Sequence, residues 1–316
     1  MTSMQHKFGA LDLIRAGLQD LDRARTLFDE LHNDGIDDDR MRLLLATLEK
    51  ACDPDIALSN LVDIIKVMQS QGKDFTNIIA DENSFVRLIT VLGVSDEMGK
   101  LMRFRPELVE AAANDACESH LYNHEQRRAH VLKSVGADPN DHTMPTASLP
   151  LAEAATALRK TYRKQLAAIM AQDATANDPI EIQPRISTEL SDLADAALEG
   201  ALAIARHEVD GSEHVRFAII GMGKLGAQEL NYVSVVEPAD MDTNGMALSR
   251  IGTKIATTLQ RVCQSVIMGV AEPTLWQIDG GLRPEGKDGP LVRRLESHEA
   301  YYEQWAENWE FQALLK

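Results

Sequence analysis

The sequence is poor in cysteine, poor in aromatic residues and short of positive charge, and each shortage removes a class of protein. Its three cysteines, Cys52, Cys117 and Cys263, are far apart and odd in number. They offer neither a disulfide framework nor a CxxC metal pair, which suits a reducing cytoplasm. Aromatic residues make up only 5% of the chain and all-β patterning is scarce, so a sandwich or barrel is disfavoured. Lysine and arginine total 32 against 49 acidic residues, a formal charge of −17. A surface that acidic repels a phosphate backbone, which argues against general nucleic-acid binding. No run approaches the roughly eighteen apolar residues of a membrane span, and the N-terminus lacks the apolar core of a secretory signal. The nine histidines show no HExxH pattern, so a zinc hydrolase reading has no support.

What is present is mostly helix-forming. Hydrophobic residues supply 44% of the 316 positions, enough to build a core, and the length favours two domains over one. From Ala10 to about His130 apolar residues recur at helical spacing, as in Leu58, Leu61, Ile64, Ile65 and Met68, or Phe85, Leu88, Ile89 and Leu92. Ser84 is placed to cap the helix after Asn83, and Pro106 to open the next. The polar, turn-forming segment 136–150 reads as a linker, dividing a helical region, 1–135, from a second domain, 151–316. Two helices follow, Leu151 to about Gln172 and Thr188 to about His207, the second capped by Ser187.

The periodicity then changes. Val215 to Ile220 is a short apolar run with β-branched and aromatic members, a buried strand by its pattern. It leads into Gly221-Met222-Gly223-Lys224-Leu225-Gly226. A helix through Leu248, Ile251, Ile255, Leu259, Val262 and Val266 comes next, with Cys263 on its apolar side, and Leu275 to Asp279 alternates as a second strand. Glycines after a strand let backbone N–H groups approach an anion, and Lys224 adds a positive charge, so Gly221, Gly223, Lys224 and Gly226 are candidates to hold a phosphate. The same GxGxxG spacing suits a dinucleotide fingerprint, with Asp240 or Asp242 for the ribose, which would make a nicotinamide-dependent oxidoreductase. The helical context disfavours that alternative, because a dinucleotide fold needs repeated strand-helix units.

Three ordered strings carry a more specific signal: Gly221 through Leu230-Asn231-Tyr232-Val233-Ser234; Asp279-Gly280-Gly281-Leu282-Arg283-Pro284-Glu285-Gly286-Lys287; and Tyr301-Tyr302 through Trp305 and Trp309 to Lys316. Together with Phe104-Arg105-Pro106-Glu107-Leu108 they resemble the bifunctional glutamine synthetase adenylyltransferase/adenylyl-removing enzymes, closest to actinobacterial members. The resemblance implies an α+β, predominantly helical protein: an N-terminal helical region, then a polymerase-β-like nucleotidyltransferase core with a small mixed sheet. It implies the adenylyl-removing half, which takes AMP off a glutamine synthetase tyrosine by Mg²⁺-dependent phosphorolysis giving ADP. Nucleotide (ATP or ADP) and inorganic phosphate are then substrate or product, glutamine synthetase the partner, and a PII-type nitrogen-signalling protein a possible second. The chain reads as a C-terminally truncated cytoplasmic member.

By the same resemblance Asp279 is a metal-side catalytic carboxylate. Arg283 and Lys287 are candidates to contact phosphate or place the modified tyrosine, and Ser234 is a further candidate for cofactor binding. The family follows that serine with an Asp-x-Asp pair that ligates Mg²⁺. Here Ser234 is followed by Val235-Val236-Glu237-Pro238-Ala239-Asp240-Met241-Asp242, so the pair is absent and the gap looks like a short in-frame deletion. Asp240 and Asp242 repeat the spacing but sit beyond Pro238 in loop-like sequence, which makes them poor substitutes. Impaired phosphorolysis is therefore expected, and the alternative is a non-catalytic module docking on glutamine synthetase or a PII-type protein.

Overall fold

The computed structural model describes residues 8–73, 75, 78, 80–113, 122–232, 238–239, 246–281 and 283–314. Helices dominate the described residues, and the chain forms two compact units, Met1–Leu121 with Lys164–Pro179, and Tyr122–Arg163 with Ile180–Lys316.

The first unit contains α1 (Ala10–Arg15), α2 (Leu21–Asn33), α3 (Asp38–Leu48), α4 (Pro54–Ser70), α5 (Glu82–Val94), α6 (Asp96–Phe104) and α7 (Glu107–Ala113). Acidic and hydroxyl side chains start most of them. Asp20, Asp37, Asp53 and Ser95 each accept a hydrogen bond from a backbone N–H three positions on, and Pro54 opens α4 where its missing N–H costs nothing. Asp81, not Ser84, caps α5; Ser84 lies inside the helix and donates its backbone N–H to the Asp81 carboxylate at 2.7 Å. A carboxylate one turn earlier outcompetes the hydroxyl because it meets an N–H with a full charge. The stripes expected on α4 and α5 are the core: Leu58, Leu61, Ile64, Ile65, Met68, Phe85, Leu88, Ile89 and Leu92 are all buried.

The second unit is built on α10 (Pro179–Glu208), with α8 (His124–Ser134) and the first part of α9 (Leu151–Ala174) against it. A Cβ on Gly200 would stand 2.5 Å from Val131 of α8 and 2.9 Å from Leu158 of α9, so both helices reach the α10 backbone. α10 begins well before the cap expected at Ser187: Pro184 lies inside it, where one N–H is lost but the helix continues. Ser187 instead accepts at its carbonyl from Ser191.

The segment 136–150, expected between domains, lies within this unit. Arg128 donates to the carbonyls of Pro139 and Asp141 at 2.7 Å each, Ala147 N–H to Ala203 at 3.0 Å, and Arg206 to Pro145 at 3.2 Å. Turn-forming residues here lay a loop along α10. Asp141 turns it by accepting from Met144 N–H and from the hydroxyl and N–H of Thr143, which hold its carboxyl down at about 2.

The strands are shorter than their sequences suggest. Among the described residues only Ile220 of the apolar run pairs: β1 (Ile220–Gly221) lies antiparallel to β2 (Pro238–Ala239), with Ile220 opposite Ala239 and Gly221 opposite Pro238. Proline has no N–H to lengthen a ladder, and Arg216 and Ala218 stay exposed. Leu275–Asp279 forms no regular strand beyond a single bridge at Ile278. Its donors are used elsewhere: Leu275 N–H goes to Cys263 O at 2.8 Å and Ile278 N–H to the Gln264 side chain at 2.8 Å. Both acceptors lie at the end of α11 (Met246–Gln264), which follows the expected helix. Helices α12 (Leu295–Gln304) and α13 (Asn308–Leu314) complete the unit.

Candidate functional site

The glycine motif folds as a compact turn. Gly223 has φ of 61°, and the N–H groups of Ala227, Gln228 and Glu229 return to the carbonyls of Gly223, Leu225 and Lys224. Residues 229–232 that follow are not helical, so the motif lacks the helix N-terminus on which a dinucleotide fingerprint places its pyrophosphate. The nicotinamide alternative loses its main structural requirement. Lys224 is exposed, while Gly221 and Gly226 face a cavity of about 440 Å³.

That cavity is closed by three other elements. α8 contributes His124, the 136–150 loop contributes His142 and Thr143, and α10 contributes Asp195, Glu199 and Arg206. Spacing on α10 explains the last group: positions 195, 199 and 202 or 206 recur every turn on one helix face. Glu199 is neutralised by Arg128, with bonds of 2.8 and 2.9 Å. Asp192, one turn before Asp195, receives the Gln228 amide at 3.4 Å. Burial pushes the carboxyls of Asp192 and Asp195 up, opposed in both by His124, and Asp195 reaches about 6. One nitrogen of His124 and one oxygen from each of these aspartates all lie within 4.8 Å of one another.

A pH dependence follows from Asp195. Its folded value lies above the ordinary 3.8, so the folded state holds the extra proton between about 4 and 6, and stability falls as pH rises through that window. The difference corresponds to roughly 3 kcal/mol against the ionised form. Asp195→Asn is expected to flatten the slope and raise the thermal midpoint at pH 7 relative to the parent; parallel pH profiles of the two proteins would contradict it.

Among the described residues, Asp279 and Arg283 do not line that cavity. Asp279 is exposed and its Oδ1 accepts the N–H of Gly281 at 2.8 Å, a turn-forming bond. Arg283 is turned inward on its own loop, donating to Gly289 O at 3.1 Å and Gly280 O at 2.5 Å, so it staples residues 280–289. Lys287 lies in the short 3₁₀ turn Gly286–Asp288. Ser234, Asp240 and Asp242 are outside the described residues. Of the carboxylates expected for Mg²⁺, only Asp279 is among the described residues. Sequence reading missed His124, Asp192, Asp195 and Arg206. The available signal was a pair of aspartates three apart in an alanine- and leucine-rich stretch of helix. Cys263 is core, as expected, its thiol pushed up to about 12 by burial.

Among the described residues no helix is long and apolar enough to cross a membrane. Residues 85–316 match the family model described as glutamate-ammonia ligase adenylyltransferase. The chain is 69% identical over 322 aligned positions to a bifunctional glutamine synthetase adenylyltransferase/adenylyl-removing enzyme of Bifidobacterium longum (strain DJO10A), covering 100% of this chain and 30% of the relative. Relatives of the same description from Cutibacterium acnes and Streptomyces avermitilis are 38% and 34% identical, covering 97% and 96% of this chain and 31% and 29% of theirs. The chain thus spans about a third of the length of the relatives it matches. Because 322 positions align with a chain of 316 residues, at least six positions of the Bifidobacterium protein have no counterpart here. The chain belongs to the glutamate-ammonia ligase adenylyltransferase family.

Proposed function

We propose that this chain derives from the half of a bifunctional enzyme that removes AMP from a glutamine synthetase tyrosine, and that the lost segment impairs it. The observation that carries this reading is the 69% identity over the whole chain to an adenylyltransferase/adenylyl-removing enzyme, with at least six positions missing. The helical unit ahead of the glycine motif supports the adenylyl-removing assignment. We place the missing positions after Ser234, where the sequence departs from the Asp-x-Asp pattern of the family it resembles.

In the reaction, an orthophosphate oxygen attacks the adenylyl phosphorus. The bond to the tyrosine oxygen breaks, a diphosphate bond forms to give ADP, and the phosphate's proton passes to the phenolate. Such transfer is chiefly positioning and charge neutralisation, so the loss of metal-binding carboxylates is a direct loss of rate. Within this chain Gly221 and Gly226 form one wall of the cavity and Arg206 brings a cationic edge to it, an arrangement fit for a phosphate group. Gly223, Lys224 and Lys287 remain candidate phosphate contacts on this reading, and Asp279 a candidate Mg²⁺ ligand. Glutamine synthetase is the proposed partner, a PII-type protein a second, and the cytoplasm the proposed compartment.

The test is ADP release from adenylylated glutamine synthetase with Mg²⁺ and phosphate, by this chain beside a version with Ser-Asp-x-Asp and its strand restored after Ser234. Activity confined to the restored chain is the expected result. Full-rate Mg²⁺-dependent release by the chain as it stands would refute the impairment. Capture of glutamine synthetase without turnover by either version would favour the docking-module alternative.

A further inference from the structure

The apolar run ahead of the glycine motif has the shape of a strand without the neighbours of one. Val215 enters it in extended conformation, φ −118° and ψ 112°, straight from the 3₁₀ turn Ser212–His214. Side chains then alternate: Phe217 and Ile219 line the cavity, while Arg216 and Ala218 are exposed. Pairing with β2 stops at Ile220. Among the described residues the backbone groups of Arg216, Phe217, Ala218 and Ile219 have no hydrogen-bond partner. An open edge of this kind recruits another strand. Val215–Ile220 is well composed for it, with three β-branched residues, a phenylalanine, a single charge and no proline.

The positions missing from this chain are of the length to have covered that edge. At least six positions of the Bifidobacterium protein have no counterpart here. Extended at roughly 3.3 Å per residue they span about 20 Å, against about 13 Å for the four unpaired residues. Placed after Ser234, they precede β2 and would extend it along the glycine motif and the run before it. We infer that the uncovered run pairs with the same run of a second copy of this chain, antiparallel about a twofold axis at Phe217. Every copy carries the same open edge, so one isologous contact closes both. The register sets Phe217 opposite Phe217, Val215 opposite Ile219, and Arg216 opposite Ala218. An aromatic pair meets at the centre and no like charges face each other. The inference rests on the placement of the missing positions after Ser234 and not on phosphorolysis.

Sedimentation velocity on the full 316-residue chain, from about 1 to about 200 µM, should show monomer passing to dimer. The midpoint is expected on the order of tens of micromolar, because one strand pair falls below the roughly 1,200 Å² of a stable interface. Ala218→Glu sets a carboxylate opposite Arg216 twice per dimer and should tighten association about two- to thirtyfold; Ala218→Lys should weaken it by a similar factor. The net charge of −17 acting alone predicts the reverse order, since lysine lowers the repulsion between copies and glutamate raises it. Arg216→Glu combined with Ala218→Lys should restore the dimer. Both positions are exposed, and far-ultraviolet circular dichroism checks that each variant is folded. The chain with its strand restored after Ser234 should remain monomeric. A parent chain that stays monomeric throughout overturns the inference, as do a dimer that ignores position 218 or follows the net-charge order and a restored chain that dimerises equally. Turnover is not read, so failure of the phosphorolysis reading leaves the result standing.

Discussion

Replacing Arg159 with methionine is expected to destabilise the second unit by about 3–5 kcal/mol. The guanidinium, 1% exposed, donates to Glu272 O at 3.0 Å and to Val262 O and Ser265 O at 2.7 Å each. Two of these carbonyls belong to the last turn of α11 and the residue just beyond it, where helical carbonyls have no partner of their own and carry the negative end of the helix dipole. Arg159 therefore terminates a helix from outside it. Burial pushes its pKa down, so part of its gain is already spent on desolvation. Methionine fills a similar volume but leaves three acceptors without donors, each costing roughly 1–3 kcal/mol, with partial relief from entering water. Arg159→Lys should recover less than half of the loss, because a single ammonium lacks the fork that reaches three carbonyls. Urea midpoints of the three proteins decide it, and a methionine variant within about 1 kcal/mol of the parent would sink the argument.

Glu189→Ala should cost a similar amount, about 3–5 kcal/mol, for a different reason. Arg127 is fully buried and bonded to Glu189 at 2.8 Å, while the other oxygen of Glu189 takes Arg185 at 2.9 Å. Arg185 is half exposed and its pair contributes little. Arg127 is the costly partner: burial lowers its pKa, and the carboxylate of Glu189 is the largest opposing influence. Removing that carboxylate takes away the largest compensation of a buried charge. A double variant, Arg127→Met with Glu189→Leu, should be milder than Glu189→Ala alone, since it removes the charge along with its partner. If the double variant is the worse of the two, the pair stabilises the fold on balance, contrary to this expectation.

The helices were legible because their signals are local. The stripes on α4 and α5 are the core without exception, and α9 and α11 fall within a few residues of their expected spans. Caps were less legible, since Asp81 and Ser84 compete for one helix start and the sequence does not rank them. The sheet was least legible: the pattern of 215–220 shows that those residues could be buried in a strand, but pairing depends on partners far along the chain. Leu275 and Ile278 turned their N–H groups to the end of α11 instead.

The site divides in the same way. Gly221 and Gly226 were found from their motif and do face the cavity, whereas Asp279 and Arg283 are engaged in their own turn. His124, His142 and Asp195 come from one helix, a loop and another helix, and only the fold brings them to one cavity. His124 stands four positions after His120, an HxxxH spacing that the reading of the histidines passed over, and His120 is outside the described residues.

The composition of α10 bears on how firmly the cavity wall is held. From Ile186 to Arg206 the helix is buried nearly all round, largely by alanine, with Gly200 touching its neighbours. Small side chains leave little room for a neighbouring helix to slide, so the backbone carrying Asp192, Asp195 and Glu199 is held to a narrow range of positions. Larger residues at the alanine positions would be rejected for lack of space. One helix thereby pairs a spacer of small residues that tolerates little change in size with two positions, Asp195 and Glu199, that border the cavity.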